Sequence, residues 1–228
     1  MKRLFCLLLA LVLTLSLCGC GGMVKSPVSA MKELTDNVKD KLIGDDTQPQ
    51  ATTSTTQHEV ALKRGNEVGN ICYDADLPII TAQGVQAQTV DPTAYGKVTV
   101  INFWYTSNAP SVAALPYYDN IARKYGDDIQ VVAVHGILLN TAANFIRTNY
   151  PDSPIVFLAD FVPEENQTED KAMNEMYRIG YYTMLGGQNR VYPYTVVLNE
   201  KGIITHVFRQ SVTESQLETA VLEAMGRM

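Results

Sequence analysis

VTVINFWYTSNAPSVAALPYYDNIARKYGDDIQVVAVHG, residues 98–136, is the stretch whose reading decides the fold. It opens with VTVINFWY (98–105), β-branched and aromatic without polar alternation, which is the pattern of a strand covered on both faces. PSVAALPYYDNIARKYG follows at helical spacing, with Val112, Leu115, Tyr118, Ile121, Ala122 and Tyr125 on one face and Gly126 as a stop. IQVVAVHG (129–136) is a second apolar strand. A helix through TAANFIRTNY, ended by Pro151, leads to a third strand, IVFLAD (155–160). This β-α-β-α-β alternation predicts a parallel central portion.

The C-terminal part changes pattern. YTVVLNEKGIITHVFRQ holds two strand-like runs joined by Asn199-Glu200-Lys201-Gly202, so these strands are expected to pair antiparallel. The last helix opens with Thr213-Glu214-Ser215-Gln216, a capping box in which the Thr hydroxyl and the Gln side chain satisfy free backbone amides. The whole reads as an α/β chain with a mixed central sheet, a βαβ half followed by a ββα half, and helices on both faces. That is the arrangement of the thioredoxin-like fold.

Working back from this domain, residues 45–64 are polar and Thr-rich and bury too little to fold, so they read as a flexible tether or a glycosylated tract. Before them, Val28, Met31, Leu34, Val38 and Leu42 recur at three- and four-residue steps, the stripe of a short amphipathic helix that lies on a membrane or packs on the domain. The N-terminus, MKRLFCLLLALVLTLSLCGC, has Lys2 and Arg3 ahead of an apolar run from Leu4 to Leu17, the anatomy of an export signal. That run is shorter than the roughly 20 residues a spanning helix needs. Leu17-Cys18-Gly19-Cys20 resembles the bacterial lipobox, which implies cleavage before Cys20 and its lipidation; an ordinary secretory signal cut nearby is the alternative. The organisation is then 1–19 signal peptide, 20–44 lipidated N-terminus with its short helix, 45–64 tether and 65–228 domain, on the extracytoplasmic side of a bacterial envelope.

Cleavage removes Cys6 and Cys18 and lipid occupies Cys20, so of four cysteines only Cys72 remains as a possible thiol. Loss of Lys2 and Arg3 takes the formal charge from −6 to −8, and an acidic exported protein makes a poor nucleic-acid partner. The expected membrane contact is the lipid on Cys20.

The segment from GKVTVINFWYTSNAPS to IQVVAVH, with Tyr192-Pro193-Tyr194-Thr195 further on, resembles the exported TlpA-type thioredoxin-like proteins, or redoxins. The likeness covers roughly Gly65 to Met228 by element order. It implies a cis Tyr192–Pro193 bond whose loop faces the redox turn. The family's active turn reads Trp-x-x-x-Cys-x-x-Cys. Laying Trp104 on its Trp puts Asn108 and Ser111 where the two cysteines belong, Ala114 where a glutamate is common, and Pro116 on the retained proline. Thiol–disulfide exchange needs an attacking thiolate and a resolving thiol, so the dithiol mechanism is closed to this turn. Asn108 is a good N-cap and Ser111 is comfortable at the third helical position.

The turn therefore reads as a helix cap, alone or together with a groove of Trp104, Tyr105, Thr106, Ser107, Asn108, Tyr192 and Pro193 that takes an anion, a peptide or an extracytoplasmic protein. This predicts a binding or accessory module in envelope thiol–disulfide or substrate-binding processes. The alternative is a thiol-disulfide oxidoreductase or antioxidant protein working through Cys72 or a partner's thiol; a small buried hydrophobe is the plainer reading of Cys72. His58, His135 and His206 show no metal or triad spacing, although His135 closes a strand whose end faces the crevice of an α/β sheet. Asp160, Glu164, Glu165, Glu169 and Asp170 read as a solvated acidic turn rather than a calcium loop, and Gly186-Gly187 as flexibility near the cleft. No cofactor or metal is expected.

Overall fold

The computed structural model describes residues 62–228. The signal peptide, Cys20, the short amphipathic helix and all but the last residues of the tether lie outside the described residues. Strands β1 (Leu77–Thr81) and β2 (Gly84–Val90) form an N-terminal hairpin. Next come β3 (Val98–Trp104), helix α1 (Ala109–Tyr125), β4 (Ile129–His135), α2 (Leu139–Asn149) and β5 (Val156–Ala159). Helix α3 (Glu169–Ile179) and the short α4 (Tyr181–Met184) lead to β6 (Tyr194–Leu198), β7 (Ile204–Phe208) and α5 (Glu214–Ala224). Among the described residues, no helix is long and apolar enough to cross a membrane.

The seven strands make one sheet in the order β2-β1-β5-β4-β3-β6-β7. Strand β3 pairs parallel with β4 and antiparallel with β6, β4 pairs parallel with β5, and β7 pairs antiparallel with β6. Each residue of β3 is buried, as its unbroken apolar run requires of a strand flanked by partners and covered on both faces. Val98, Val100 and Trp104 pack with α1, α2 and α5, while Ile101 and Phe103 meet Tyr181, Tyr182 and Leu185 on the opposite face. This is the thioredoxin-like fold, with an extra hairpin on the β5 side. The hairpin has no conspicuous sequence signal because its turn, Ala82-Gln83, lacks the Asn-Gly or Gly-X pair that marks tight turns.

Helix α1 starts at Asn108 as its cap, has Pro110 in its first turn, and carries Arg123 and Lys124 in its last turn, where they suit the negative end of the helix dipole. Its buried stripe is Ser111, Ala114, Leu115, Tyr118, Ile121 and Ala122, which leaves Val112 and Tyr125 at the margin. Gly126 ends the helix in right-handed conformation, so it does not stop the helix by adopting a left-handed one. The Asn199–Gly202 turn closes the β6–β7 hairpin, with Asn199 Oδ1 accepting from the amides of Lys201 and Ile203, and Gly202 at φ 72°. Thr213 and Gln216 form both halves of the capping box on α5. At the start of the domain Lys63 O accepts from the Ile71 amide and Arg64 bridges to Ile71, so ordered pairing begins just before Gly65.

Candidate functional site

The turn between β3 and α1 is a closed hydrogen-bonded unit. Asn108 N–H donates to Tyr105 O at 3.1 Å, which brings the chain round, and Asn108 stays extended at φ −102°. Its Oδ1 then accepts twice from Ser111, from the backbone amide at 2.9 Å and from the hydroxyl at 2.8 Å. The two positions, Asn108 and Ser111, thus hold a cap and its donor. Ser111 is fully buried and spends its proton on Asn108, so it is no nucleophile. It is also out of a ligand's reach.

The loop opposite contains the cis Tyr192–Pro193 bond. Tyr192 meets Tyr105 of the turn at 5.2 Å between ring centroids and stacks on Tyr182 of α4 at 4.8 Å. The Tyr105 hydroxyl accepts from the Ile137 amide at 3.2 Å and points its own proton at the Met173 sulfur, 3.9 Å away. Gly136 is a glycine for this reason: a Cβ there would lie 2.3 Å from the Tyr105 ring. The structure therefore brings Tyr105 and Tyr192 together, with Pro193 buried behind them.

Three of the seven predicted groove residues are not lining residues. Trp104 is wholly buried, with its ring 4.7 Å from His135 and 5.5 Å from Phe145. Tyr105 and Pro193 are buried too. Alternation explains it, because Trp104 is the last residue of β3 and faces the helices of its own side of the sheet. Thr106, Ser107, Asn108 and Tyr192 keep exposed or half-exposed surface.

Two buried titratable groups close the strands at this end. His135 ends β4, fully buried, and its Nε2 accepts from the Thr106 amide at 3.1 Å. The ring is therefore neutral with its proton on Nδ1, and burial pushes its pKa down to about 4 against a smaller opposing effect of the Gly136 backbone. With Nε2 spent, it cannot serve as a base for Ser111.

Asp160 follows β5, and its carboxylate accepts from the amides of Tyr181 and Tyr182 at the start of α4. Burial raises its pKa to about 7 despite those two amides. This corrects the reading of Asp160 as part of a solvated acidic turn; Glu164, Glu165, Glu169 and Asp170 are exposed as that reading expects. Position 180, where the Tyr-rich segment breaks, is glycine because a side chain there would sit 2.5 Å from Met176 O and 2.9 Å from Asp160 Oδ2. The clue lay in the position of Asp160 at the C-terminal end of a buried strand, where α/β sheets gather polar function. Gly187 likewise answers to packing, since a Cβ would meet the Tyr182 ring at 2.4 Å.

Cys72 is buried, which removes the reading of it as a working thiol. Its sulfur lies 3.5 Å from the Tyr181 hydroxyl, whose own proton goes to Tyr73 O at 2.9 Å, so the thiol is the donor. Burial raises its pKa to about 11, far from the thiolate range. Its amide bonds Gly202 O in the β6–β7 turn. That is the opposite end of β6 from Pro193, roughly 17 Å away for five residues at about 3.4 Å each. Among the described residues no three His, Cys, Asp or Glu side chains gather as a metal site.

A parallel β-α-β core, an antiparallel hairpin entered through a cis-proline loop and a helix opening beside that loop define a thioredoxin-like protein. The chain belongs to the redoxin family, whose model matches residues 67–223. It is similar to the thioredoxin-like protein YneN of Bacillus subtilis, at 23% identity over 72% of this chain and 81% of that one. Among solved structures, it resembles a DsbF homologue from Corynebacterium diphtheriae at 19% identity and TM-score 0.47, over 78% of this chain and 99% of the other. It also resembles the exposed lipoprotein thioredoxin of Streptococcus pneumoniae at 18% identity and TM-score 0.45, over 65% and 99% respectively.

Proposed function

We propose that this redoxin is a lipid-anchored, extracytoplasmic protein that does no thiol chemistry of its own and acts as a binding or accessory module in envelope thiol–disulfide or substrate-binding processes. The observation that carries this is the Asn108–Ser111 pair, which satisfies itself at the helix start where a dithiol would have to stand. Burial of Cys72 supports it, since a protonated core thiol can neither attack a disulfide nor resolve a mixed one. Ligand surface at the turn is what remains accessible of it: Thr106, Ser107, Asn108 and Tyr192. The anchor is Cys20, and the accompanying expectation is that Cys20→Ala releases the protein from membranes.

The test is insulin-disulfide reduction by the parent, by Asn108→Cys/Ser111→Cys and by Cys72→Ser. The parent and Cys72→Ser are expected to be inactive and the restored dithiol active. Insulin reduction by the parent would overturn the reading, and loss of that reduction in Cys72→Ser would assign it to the buried thiol.

A further inference from the structure

Six aromatic side chains run in continuous contact from the core to the surface beside the turn. Trp104, the single tryptophan of the chain, lies 4.7 Å from His135, and the same imidazole lies 4.8 Å from Tyr105. Tyr105 meets Tyr192 at 5.2 Å, Tyr192 stacks on Tyr182 at 4.8 Å, and Tyr182 meets Tyr177 at 6.0 Å. Tyr192 also donates a hydrogen bond to the Tyr177 hydroxyl at 3.2 Å, and Tyr177 is half-exposed on α3.

We propose that this column is a path for one-electron oxidation, along which a hole formed at Trp104 moves to Tyr177. A small oxygen-centred radical outside the domain takes one electron from the indole by tunnelling and becomes its anion, which water protonates. The Trp104 radical cation then takes an electron from the column. The net step turns the Trp104 cation and the Tyr177 phenol into neutral Trp104, the Tyr177 phenoxyl and one proton. A small thiol in solution gives an electron and a proton to the Tyr177 phenoxyl, becomes a thiyl radical, and restores the phenol.

The direction follows from charge and from proton exits. A cation in the core is costly, while a neutral phenoxyl at the surface is not. Among the described residues no protein atom accepts from Trp104 Nε1, so none of their groups stands ready to discharge the indole cation by taking its proton. Of the phenols, Tyr105 points at a sulfur and Tyr182 at the carbonyls of Gln188 and Val191, none of which takes up a proton. Among the described residues the Tyr192 hydroxyl has one acceptor, the Tyr177 oxygen. The Tyr177 hydroxyl donates to no protein atom among the described residues and has access to water. The Arg190 guanidinium, 4.7 Å from the Tyr177 ring centroid, favours the deprotonated neutral radical there over a ring cation. A rival route leads from Trp104 through Phe145 to Tyr150, with steps of 5.5 and 5.9 Å; the Phe145 phenyl there, like the His135 imidazole in the column, is crossed by tunnelling without being oxidised, and Tyr150→Phe distinguishes the two routes.

The test is flash photo-ionisation of Trp104 in the full chain, following the indolyl and phenoxyl absorbances. Phenoxyl is expected to grow in as indolyl decays, at a rate independent of protein concentration. Tyr150→Phe leaves this unchanged, while Tyr177→Phe and Tyr192→Phe, which keep their rings, lose the long-lived phenoxyl. Indolyl decay without phenoxyl growth overturns the proposal, as does growth that depends on protein concentration. Loss of the signal in Tyr150→Phe, or its survival in both Tyr177→Phe and Tyr192→Phe, also overturns it.

Discussion

Replacing Asp160 by Asn changes how the stability of the domain depends on pH, and the size of the change follows from where the carboxyl sits. Burial raises the Asp160 pKa from 3.8 to about 7. Below pH 3.8 the group is protonated in both folded and unfolded chains. Above it the unfolded chain loses the proton and the folded one keeps it, so stability falls as pH rises until the folded group ionises near pH 7. A displacement of that size corresponds to about 4 kcal/mol.

His135 works the other way. Its pKa is lowered from 6.5 to about 4, so its contribution is complete above pH 6.5 and is lost as pH falls toward 4, by about 3 kcal/mol. Between pH 4 and 6.5 the two nearly cancel in the parent. In Asp160→Asn the His135 effect stands alone, and the domain gains about 3 kcal/mol over that interval. The Asn oxygen still accepts from the Tyr181 amide, so α4 keeps its start. Urea unfolding followed by the fluorescence of the single buried tryptophan, at several pH values across the interval, measures both slopes. Parallel stability curves for parent and variant would refute the reasoning, because they would mean that Asp160 titrates as an ordinary exposed carboxyl.

Three further outcomes are expected. Asn108→Ala costs about 2 kcal/mol, since the cap is lost and the buried Ser111 hydroxyl is left without an acceptor; adding Ser111→Ala recovers part of it, as denaturant titration of the double-mutant cycle reads. The Cys72 thiol does not react with an aromatic disulfide reagent in the folded domain and reacts on addition of denaturant, with labelling before unfolding as the contrary result. Gly180→Ala destabilises by roughly 1–3 kcal/mol, because its Cβ would press on Met176 O and the Asp160 carboxylate; an unchanged melting temperature would show that the α3–α4 break can relax.

The fold and the turn were legible in the sequence for local reasons. The apolar run of β3, the helical spacing of α1, the Asn-Glu-Lys-Gly turn and the Thr213–Gln216 box each act within a few residues, and the structure forms all four. Asn108 and Ser111 met as cap and donor because a helix start is itself local chemistry. The β1–β2 hairpin escaped because its turn carries no special residue, and its place on β5 is set by pairing across a long separation.

Chain order and residue type by themselves thus determined the mixed sheet, the family and the absence of a dithiol in the turn, because these depend on periodicity and on which side chains are present. Only the tertiary structure decided that Trp104 is core rather than groove, that Cys72 lies at the far end of β6, and that Asp160 is buried under α4 and not solvated. Burial depends on which elements pack above a residue, and segments distant in the chain supply the Phe145 of α2 that covers Trp104 and the Tyr181 of α4 that meets both Cys72 and Asp160.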